Sequence, residues 1–313
     1  MNLSERLKPK NRLLYDEPLA RHTTFGIGGS VRLLAVVSDE EELREVFRSA
    51  RAQGVPVFVL GGGSKLLIAG GSLTMIAVAL GGKYALTRME GGVLFGGAGC
   101  GLQTLIQTAM GHGYGGLESM AGIPGTVGGA VKMNAGAGLH GPWISNYVRR
   151  VKVYDSTGNI RWLNADALEF GYRRSMIRDM VVLEVEFTLC GAEDPVLLLS
   201  RYKKFLEEKK MKQELALPSA GSIFKNPAGQ SLTAGQLIEQ CGLKGRTLGG
   251  ATISPKHANF IVAAAGASYE DVTGLIDIAR GEVARRFNIA LELEVEVLDT
   301  RDYQGACQER IPG

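Results

Sequence analysis

The chain has 313 residues, of which 45% are hydrophobic and 21% charged, and it carries a net charge of +3. That length is too great for one ordinary core and suits two or three packed domains. Lys and Arg are scattered, which argues against a nucleic-acid surface, while a mild positive bias suits an anionic small substrate; no apolar run reaches the ~18 residues of a membrane span.

Residues 1–17 are too polar for a signal peptide. Residues 31–37 form an apolar strand candidate. Ser38 with Glu41 reads as a capping box for a helix running to Gln53, with Gly54 just past its end. Residues 55–60 are a second buried strand, ending in Gly61-Gly62-Gly63-Ser64, and 73–80 a third. Strand, helix, strand and Gly-rich loop in that order indicate an α/β unit.

A boundary follows at Gly81-Gly82. Residues 93–98 predict a strand. Residues 102–112 predict a helix, with apolar positions at 102, 105, 106 and 109. The densest glycine region runs over 113–141. Residues 148–163 predict a hairpin that turns at Ser156-Thr157-Gly158-Asn159, and 181–189 a further strand. Pro195–Lys212 reads as a basic amphipathic helix. Ser222 opens a strand through Phe224, and Thr233 with Gln236 caps a short helix towards Cys241. Ser268 caps a helix to about Phe287, and 291–298 is the final strand. Cys100, Cys190, Cys241 and Cys307 lie far apart with no C-x-x-C pair, as expected of reduced cytoplasmic thiols. The four His are dispersed, so no His-based metal site is expected.

Glycine is the informative residue, at 43 positions. Each costs backbone entropy, so clusters mark places where backbone approaches something closely. Gly61, Gly62, Gly63 and Ser64, followed by Lys65 and Leu66, leave a buried strand with open amides, a nest suited to phosphate. No G-K-[ST] follows and no G-x-G-x-x-G is present, so taken alone the loop reads equally as a tight turn. Gly122, Ile123, Pro124, Gly125, Thr126, Val127, Gly128, Gly129 and Ala130 form a second run, continuing to Asn134-Ala135-Gly136-Ala137. It reads as a wall for an extended cofactor, because Ile123, Val127 and Val131 are odd on a solvated loop.

Three further segments carry polar chemistry. In Gly171-Tyr172-Arg173-Arg174-Ser175, an aromatic and an Arg can stack on a ring and hold an anion; alone, a solvated basic turn is the stronger reading. Residues 218–227 set Ser219 and Ser222 beside small residues, then offer Lys225 and Asn226. No G-x-S-x-G elbow is present, which disfavours a hydrolase. Residues 291–297 alternate strictly, placing Glu292, Glu294 and Glu296 on one strand face. A buried one of the three needs a partner, for which Arg173 is a candidate.

Taken in order, His22-Thr23-Thr24-Phe25 with Ile27-Gly28-Gly29, then 61–64, 121–130, 171–173, 219–227 and Lys256-His257-Ala258-Asn259-Phe260-Ile261 resemble the UDP-N-acetylenolpyruvoylglucosamine reductases. The resemblance spans about residues 20–298 and keeps chain order. The short span from Arg173 to Ser222 resembles the family's compact second type. The resemblance implies an α+β fold. A two-subdomain FAD-binding module of the vanillyl-alcohol-oxidase (PCMH) type would occupy 1–81 and 82–192, and a C-terminal α+β substrate-binding lid 193–298. The tail 299–313 is a candidate to pack on the first subdomain.

The resemblance also implies bound FAD, NADPH as co-substrate, and reduction of UDP-N-acetylglucosamine enolpyruvate to UDP-N-acetylmuramate in peptidoglycan biosynthesis. Hydride would pass from NADPH by way of FAD to the vinyl carbon C3, and C2 would then be protonated. By position, Ser222 matches the proton donor, Arg173 the catalytic Arg and Glu294 the catalytic Glu. Tyr172, Lys225 and Asn226 match substrate contacts. The flavin contacts are Gly61 to Leu66, Gly122 to Thr126, and Gly128 to Ala130. A cytoplasmic monomer without metal, nucleic acid or membrane partner is implied. Lys65 stands where Asn is usual, Gly26 where Arg is common, and Glu214 and Leu293 where Pro is usual. Glu296 replaces an Arg. Through a register shift of two, Glu292 and Glu296 remain alternatives to Glu294. Two competing readings are a flavoenzyme of the same class acting on another sugar or hydroxy acid, and a non-catalytic flavin or nucleotide-sugar binder. Ser222, Lys225 and Asn226 disfavour the first; Arg173, Ser222 and Glu294 together disfavour the second.

Overall fold

The computed structural model describes residues 12–136, 138, 141–177 and 179–299. Ala137, Cys307 and the tail from Thr300 lie outside the described residues. The first half of the chain carries β1 (Arg12–Pro18), β2 (Ser30–Val37), α1 (Glu40–Ala52), β3 (Val57–Leu60), β4 (Leu66–Ile68), β5 (Ser72–Leu80), β6 (Thr87–Glu90), β7 (Val93–Gly97), α2 (Leu102–Gly111) and α3 (Val127–Lys132). The second half carries β8 (Val148–Tyr154), β9 (Ile160–Asn164), β10 (Val181–Phe187), α4 (Pro195–Lys212), α5 (Ala234–Gln240), β11 (Thr247–Leu248), β12 (Ala251–Ile253), β13 (Ile261–Ala263), α6 (Tyr269–Phe287) and β14 (Glu296–Leu298).

The strands pair in the orders β1-β2-β5-β3, β6-β7-β10-β8-β9, β11-β12-β13 and β14-β4. The five-stranded sheet is antiparallel throughout. β3 runs parallel to β5, and β14 parallel to β4.

The chain divides into two compact units that are discontinuous in sequence. Of the described residues, unit 1 holds those up to Leu14, Leu33–Gly62 and Ile76–Lys209; unit 2 holds Tyr15–Arg32, Gly63–Met75 and those from Lys210 to Asp299. Each of the expected segments 1–81, 82–192 and 193–298 therefore contributes to unit 1, and the first and last also to unit 2. In unit 1, Leu94, Leu105, Ile106, Val127, Val151 and Phe187 belong to one core. A second core sets Leu43, Val46 and Ala50 of α1 against Leu33, Ala35, Ile76 and Val78. In unit 2, Val272, Leu275, Ile276, Ala279 and Val283 line one face of α6 at helical spacing. They pack with Phe25, Leu67, Phe224, Ile253 and Ile261. Each such Leu or Ile contributes about 1.5–3 kcal/mol relative to exposure.

Several local expectations hold. The Thr233–Gln236 box opens α5, Cys241 caps its end, and Ser268 caps α6. The β8–β9 hairpin turns where Ser156 to Asn159 predicted. The cap of α1 is shifted by one residue. Asp39, not Ser38, accepts from the Glu42 N–H, while Glu42 accepts from the Ser38 N–H. The shift gives the orphan amide a charged acceptor, worth more than a hydroxyl at a helix N-terminus. α4 uses one face as expected: Leu198 is buried and Arg201, Tyr202, Leu206 and Lys209 are half-buried at helical spacing, while the rest of the helix is exposed.

The expected last strand is also shorter. Only β14, at 296–298, is regular, and Ser222 and Phe224 take part in isolated bridges to Phe260 and Leu293. The cause is local: the N–H groups of both Glu294 and Val295 point at the Ile223 carbonyl, at 2.8 and 3.3 Å. Two successive donors on one acceptor make a bulge, and a bulge breaks the alternation of faces.

Candidate active site

The two glycine runs meet in unit 1. A Cβ on Gly62 would lie 2.6 Å from the Gly125 Cα, so backbone passes backbone where no side chain fits. A Cβ on Gly61 would lie 2.9 Å from Thr126 Oγ1. That hydroxyl also accepts from the Gly129 N–H at 3.4 Å, capping α3. Gly61, Gly62, Pro124 and Gly129 are exposed, and Gly122, Ile123, Gly125, Thr126 and Gly128 partly so, while Ala130 is buried. Gln103 holds the start of the second run, donating to the Ile123 carbonyl at 2.8 Å and accepting from Gly122 N–H at 3.1 Å. Gln103 was not anticipated; its signal was its position on the helix before the glycine-rich run.

Tyr172 and Arg173 share a tight turn closed by hydrogen bonds between Gly171 and Arg174 at 3.0 and 3.2 Å. Arg173 has φ +54°, a left-handed conformation uncommon outside glycine. Its guanidinium lies 5.3 Å from the Tyr172 ring centroid and donates to the carbonyls of Asn134 and Gly136 at 3.4 and 3.2 Å. Asn134 is buried and secures the turn, donating to the Gly171 carbonyl at 3.0 Å and accepting from the Ser145 N–H at 3.3 Å. The second glycine run and the Tyr-Arg turn, separate motifs in the sequence, are thus joined through Asn134.

In unit 2, Ser222 and Glu294 meet through Lys65. The Lys65 ammonium lies 2.7 Å from Glu294 Oε1 and donates to the Ser222 carbonyl at 2.8 Å. Of the three alternating glutamates, Glu294 is buried, while Glu292 and Glu296 are exposed. That favours Glu294 over its two neighbours as the site carboxylate. Lys65, not singled out in the sequence as a partner for a buried glutamate, pairs with Glu294. Lys65 was expected among the flavin contacts, but a buried carboxylate attracts the nearest cation because burial without compensation is costly.

The surrounding scaffold holds the Ser222 segment at several points. Thr24 clamps Ser219, its carbonyl accepting from the Ser219 N–H at 3.1 Å and its hydroxyl donating to the Ser219 carbonyl at 2.7 Å. Gly63, at φ +60°, lies so near the His22 carbonyl that a Cβ would stand 1.9 Å from that oxygen. Ser64 is partly exposed and Leu66, opening β4, is buried. Lys225 pairs with Glu292. The Asn226 carboxamide accepts from the Ala234 N–H at 3.0 Å, so it helps start α5. Both expected substrate contacts therefore also have structural work.

Comparisons with known proteins agree over most of the chain. A model of the FAD binding domain matches residues 31–164. A model of the UDP-N-acetylenolpyruvoylglucosamine reductase C-terminal domain matches residues 213–298. The UDP-N-acetylenolpyruvoylglucosamine reductase of Heliobacterium modesticaldum is 40% identical over 295 residues, 92% of this chain and 91% of that protein. Reductase 2 of Symbiobacterium thermophilum is 38% identical over 93% of this chain and 94% of its own. The crystal structure of UDP-N-acetylenolpyruvylglucosamine reductase from Thermus caldophilus superposes with a TM-score of 0.77 at 35% identity, covering 92% of this chain and 99% of that one. The expected architecture, a flavin-binding module followed by a C-terminal α+β domain, is the one found.

Proposed function

Because the chain belongs to the UDP-N-acetylenolpyruvoylglucosamine reductase family, we propose that it reduces UDP-N-acetylglucosamine enolpyruvate to UDP-N-acetylmuramate in peptidoglycan biosynthesis, with bound FAD and with NADPH as co-substrate. The observation that carries this reading is the constellation of Ser222, Lys65 and Glu294, of which Ser222 and Glu294 lie in the segment matching the reductase C-terminal model. The residues present fit FAD: the matched domain contains both glycine runs, which meet at Gly62 and Gly125 and leave Gly61, Gly62 and Gly129 exposed without side chains. Gly61 to Leu66, the Lys65 side chain apart, Gly122 to Thr126, and Gly128 to Ala130 would hold it. FAD, when bound, supplies the hydride chemistry that no side chain provides.

The chain's own residues then bind, orient and protonate. Reduction at C3 of the enolpyruvyl group builds negative charge on the substrate carboxylate as an enolate. Arg173 supplies a fixed cation for that charge, stabilising the transition state more than the ground state. Its turn is secured by Asn134. Ser222 delivers its hydroxyl proton to C2. A Ser hydroxyl is a weak acid and serves only within hydrogen-bond reach of a strongly basic carbon, so its placement matters more than its acidity. Glu294 is the site carboxylate beside that segment. Tyr172, Lys225 and Asn226 contact the substrate. Residues 1–81 and 82–192 serve the flavin and 193–298 the substrate. The reading includes a cytoplasmic monomer that binds neither nucleic acid nor membrane. Among the described residues no helix is long and apolar enough to cross a membrane.

The test is anaerobic. The yellow holoenzyme is bleached with NADPH, and the enolpyruvyl nucleotide sugar is then added. Rapid return of the oxidised spectrum with UDP-N-acetylmuramate formed is expected. Bleaching without return would leave a flavoprotein with a different acceptor.

A further inference from the structure

Lys65 belongs to the glycine-rich loop in sequence, yet its side chain is committed elsewhere. Its ammonium lies 2.7 Å from Glu294 Oε1 and 2.8 Å from the Ser222 carbonyl. The Glu294 side chain is 6% exposed and that of Lys65 28%. A carboxylate so buried must be compensated in place, and the ammonium that does this also grips the main chain of the proposed proton donor. Lys65 is itself anchored. Its carbonyl accepts from the Glu296 N–H at 2.8 Å, and the strand that follows it, β4, pairs with 296–298 in parallel register. Its backbone is thus tied to the segment that carries Glu294, and its side chain closes the loop onto Ser222. Gly221 sits beside the ammonium with φ +71°, letting the chain turn over it.

Three elements distant in sequence converge on one ammonium, and two of them carry the residues assigned to protonation. We infer that Lys65 is a positioning residue for the protonation step, fixing the Ser222 main chain and the Glu294 carboxylate relative to each other. The inference rests on the function proposed above. It separates Lys65 from the flavin contacts around it: its removal disturbs the half-reaction that consumes substrate, not the one that reduces the cofactor.

The experiment compares holoenzymes of the wild type, Lys65→Met, Glu294→Gln and the double variant Lys65→Met/Glu294→Gln. Each is tested for FAD affinity by fluorescence, for the rate of bleaching by NADPH, and for the rate of reoxidation by the enolpyruvyl nucleotide sugar. Lys65→Met is expected to slow reoxidation by roughly 10- to 100-fold, with bleaching and FAD affinity within about threefold of wild type. On the Glu294→Gln background the same substitution is expected to cost roughly threefold or less, because contacting groups that act as a unit are not additive. The double variant leaves no unpaired buried carboxylate, so it answers even where Lys65→Met folds poorly. Equal losses in both half-reactions with weakened FAD binding, or a full additional loss on the Glu294→Gln background, would overturn the positioning role and return Lys65 to the flavin. Wild-type enzyme that bleaches but is never reoxidised by this substrate would overturn the proposed function, and this role with it.

Discussion

The carboxamide of Asn259 brackets Phe224: its Oδ1 accepts from the Phe224 N–H at 3.0 Å and its Nδ2 donates to the Phe224 carbonyl at 2.8 Å. The Asn259 carbonyl also accepts from the Ile223 N–H at 2.8 Å. One buried side chain thereby does the work of a neighbouring strand for the residues that follow Ser222. Asn259→Leu keeps the volume but leaves both Phe224 groups without that partner. Loss of about 2–4 kcal/mol of stability is expected in urea unfolding; a loss under about 0.5 kcal/mol would mean that other groups take over the bracket.

His257 makes this bracket sensitive to pH. Burial holds its imidazole below the usual 6.5, and its Nδ1 accepts from the Asn259 N–H at 3.2 Å, which requires the neutral ring. The unfolded chain takes up the proton near 6.5 and the folded chain only at lower pH. The stability this group contributes is therefore complete above about 6.5 and is lost as pH falls through the folded value. Urea midpoints at about pH 7.5 and 5.5 should fall further in the wild type than in His257→Gln; parallel changes would remove His257 from the pH dependence.

Ser222→Ala separates the two half-reactions. Bleaching by NADPH should be nearly intact, and reoxidation by substrate should slow by about 10²- to 10⁴-fold, the range of a lost general acid. Equal slowing of both would sink the proton-donor assignment.

The glutamates can be told apart by their surroundings. Glu292 is exposed and paired with Lys225, so Glu292→Gln should change stability by no more than about 1 kcal/mol. Glu294→Gln removes the charge that faces the half-buried Lys65 ammonium, and its reoxidation rate should fall at least about tenfold. A larger catalytic loss in Glu292→Gln than in Glu294→Gln would move the role by two residues.

Gly62→Ala tests the meeting of the glycine runs. Its Cβ would stand 2.6 Å from the Gly125 Cα, and backbone must yield. A loss of roughly 1–3 kcal/mol in stability is expected, with weaker FAD retention on dialysis. An alanine variant that keeps both would show that the two loops have room to part.

What was legible in the sequence was local. The capping box of α5, the Ser268 cap of α6, the β8–β9 hairpin and the Pro195–Lys212 helix were readable because the atoms that decide them lie within a few residues of each other. The same locality set the error at α1, where Ser38 and Asp39 both offered a cap and only geometry chose between them. The short strand β4 left no usable pattern, since Leu66, Leu67 and Ile68 are all buried and its partner is β14.

By itself the sequence determined the glycine runs, the longer helices, the caps of α5 and α6, and the residue types of the site, because spacing and side-chain chemistry are properties of short segments. Tertiary structure decided which glutamate is buried, since a bulge opposite Ile223 breaks an alternation that was perfect on paper. It also decided that Lys65 serves Ser222, 157 positions away, and not only its own loop. A charge finds its partner through folding, and no local pattern records where a distant carboxylate is buried.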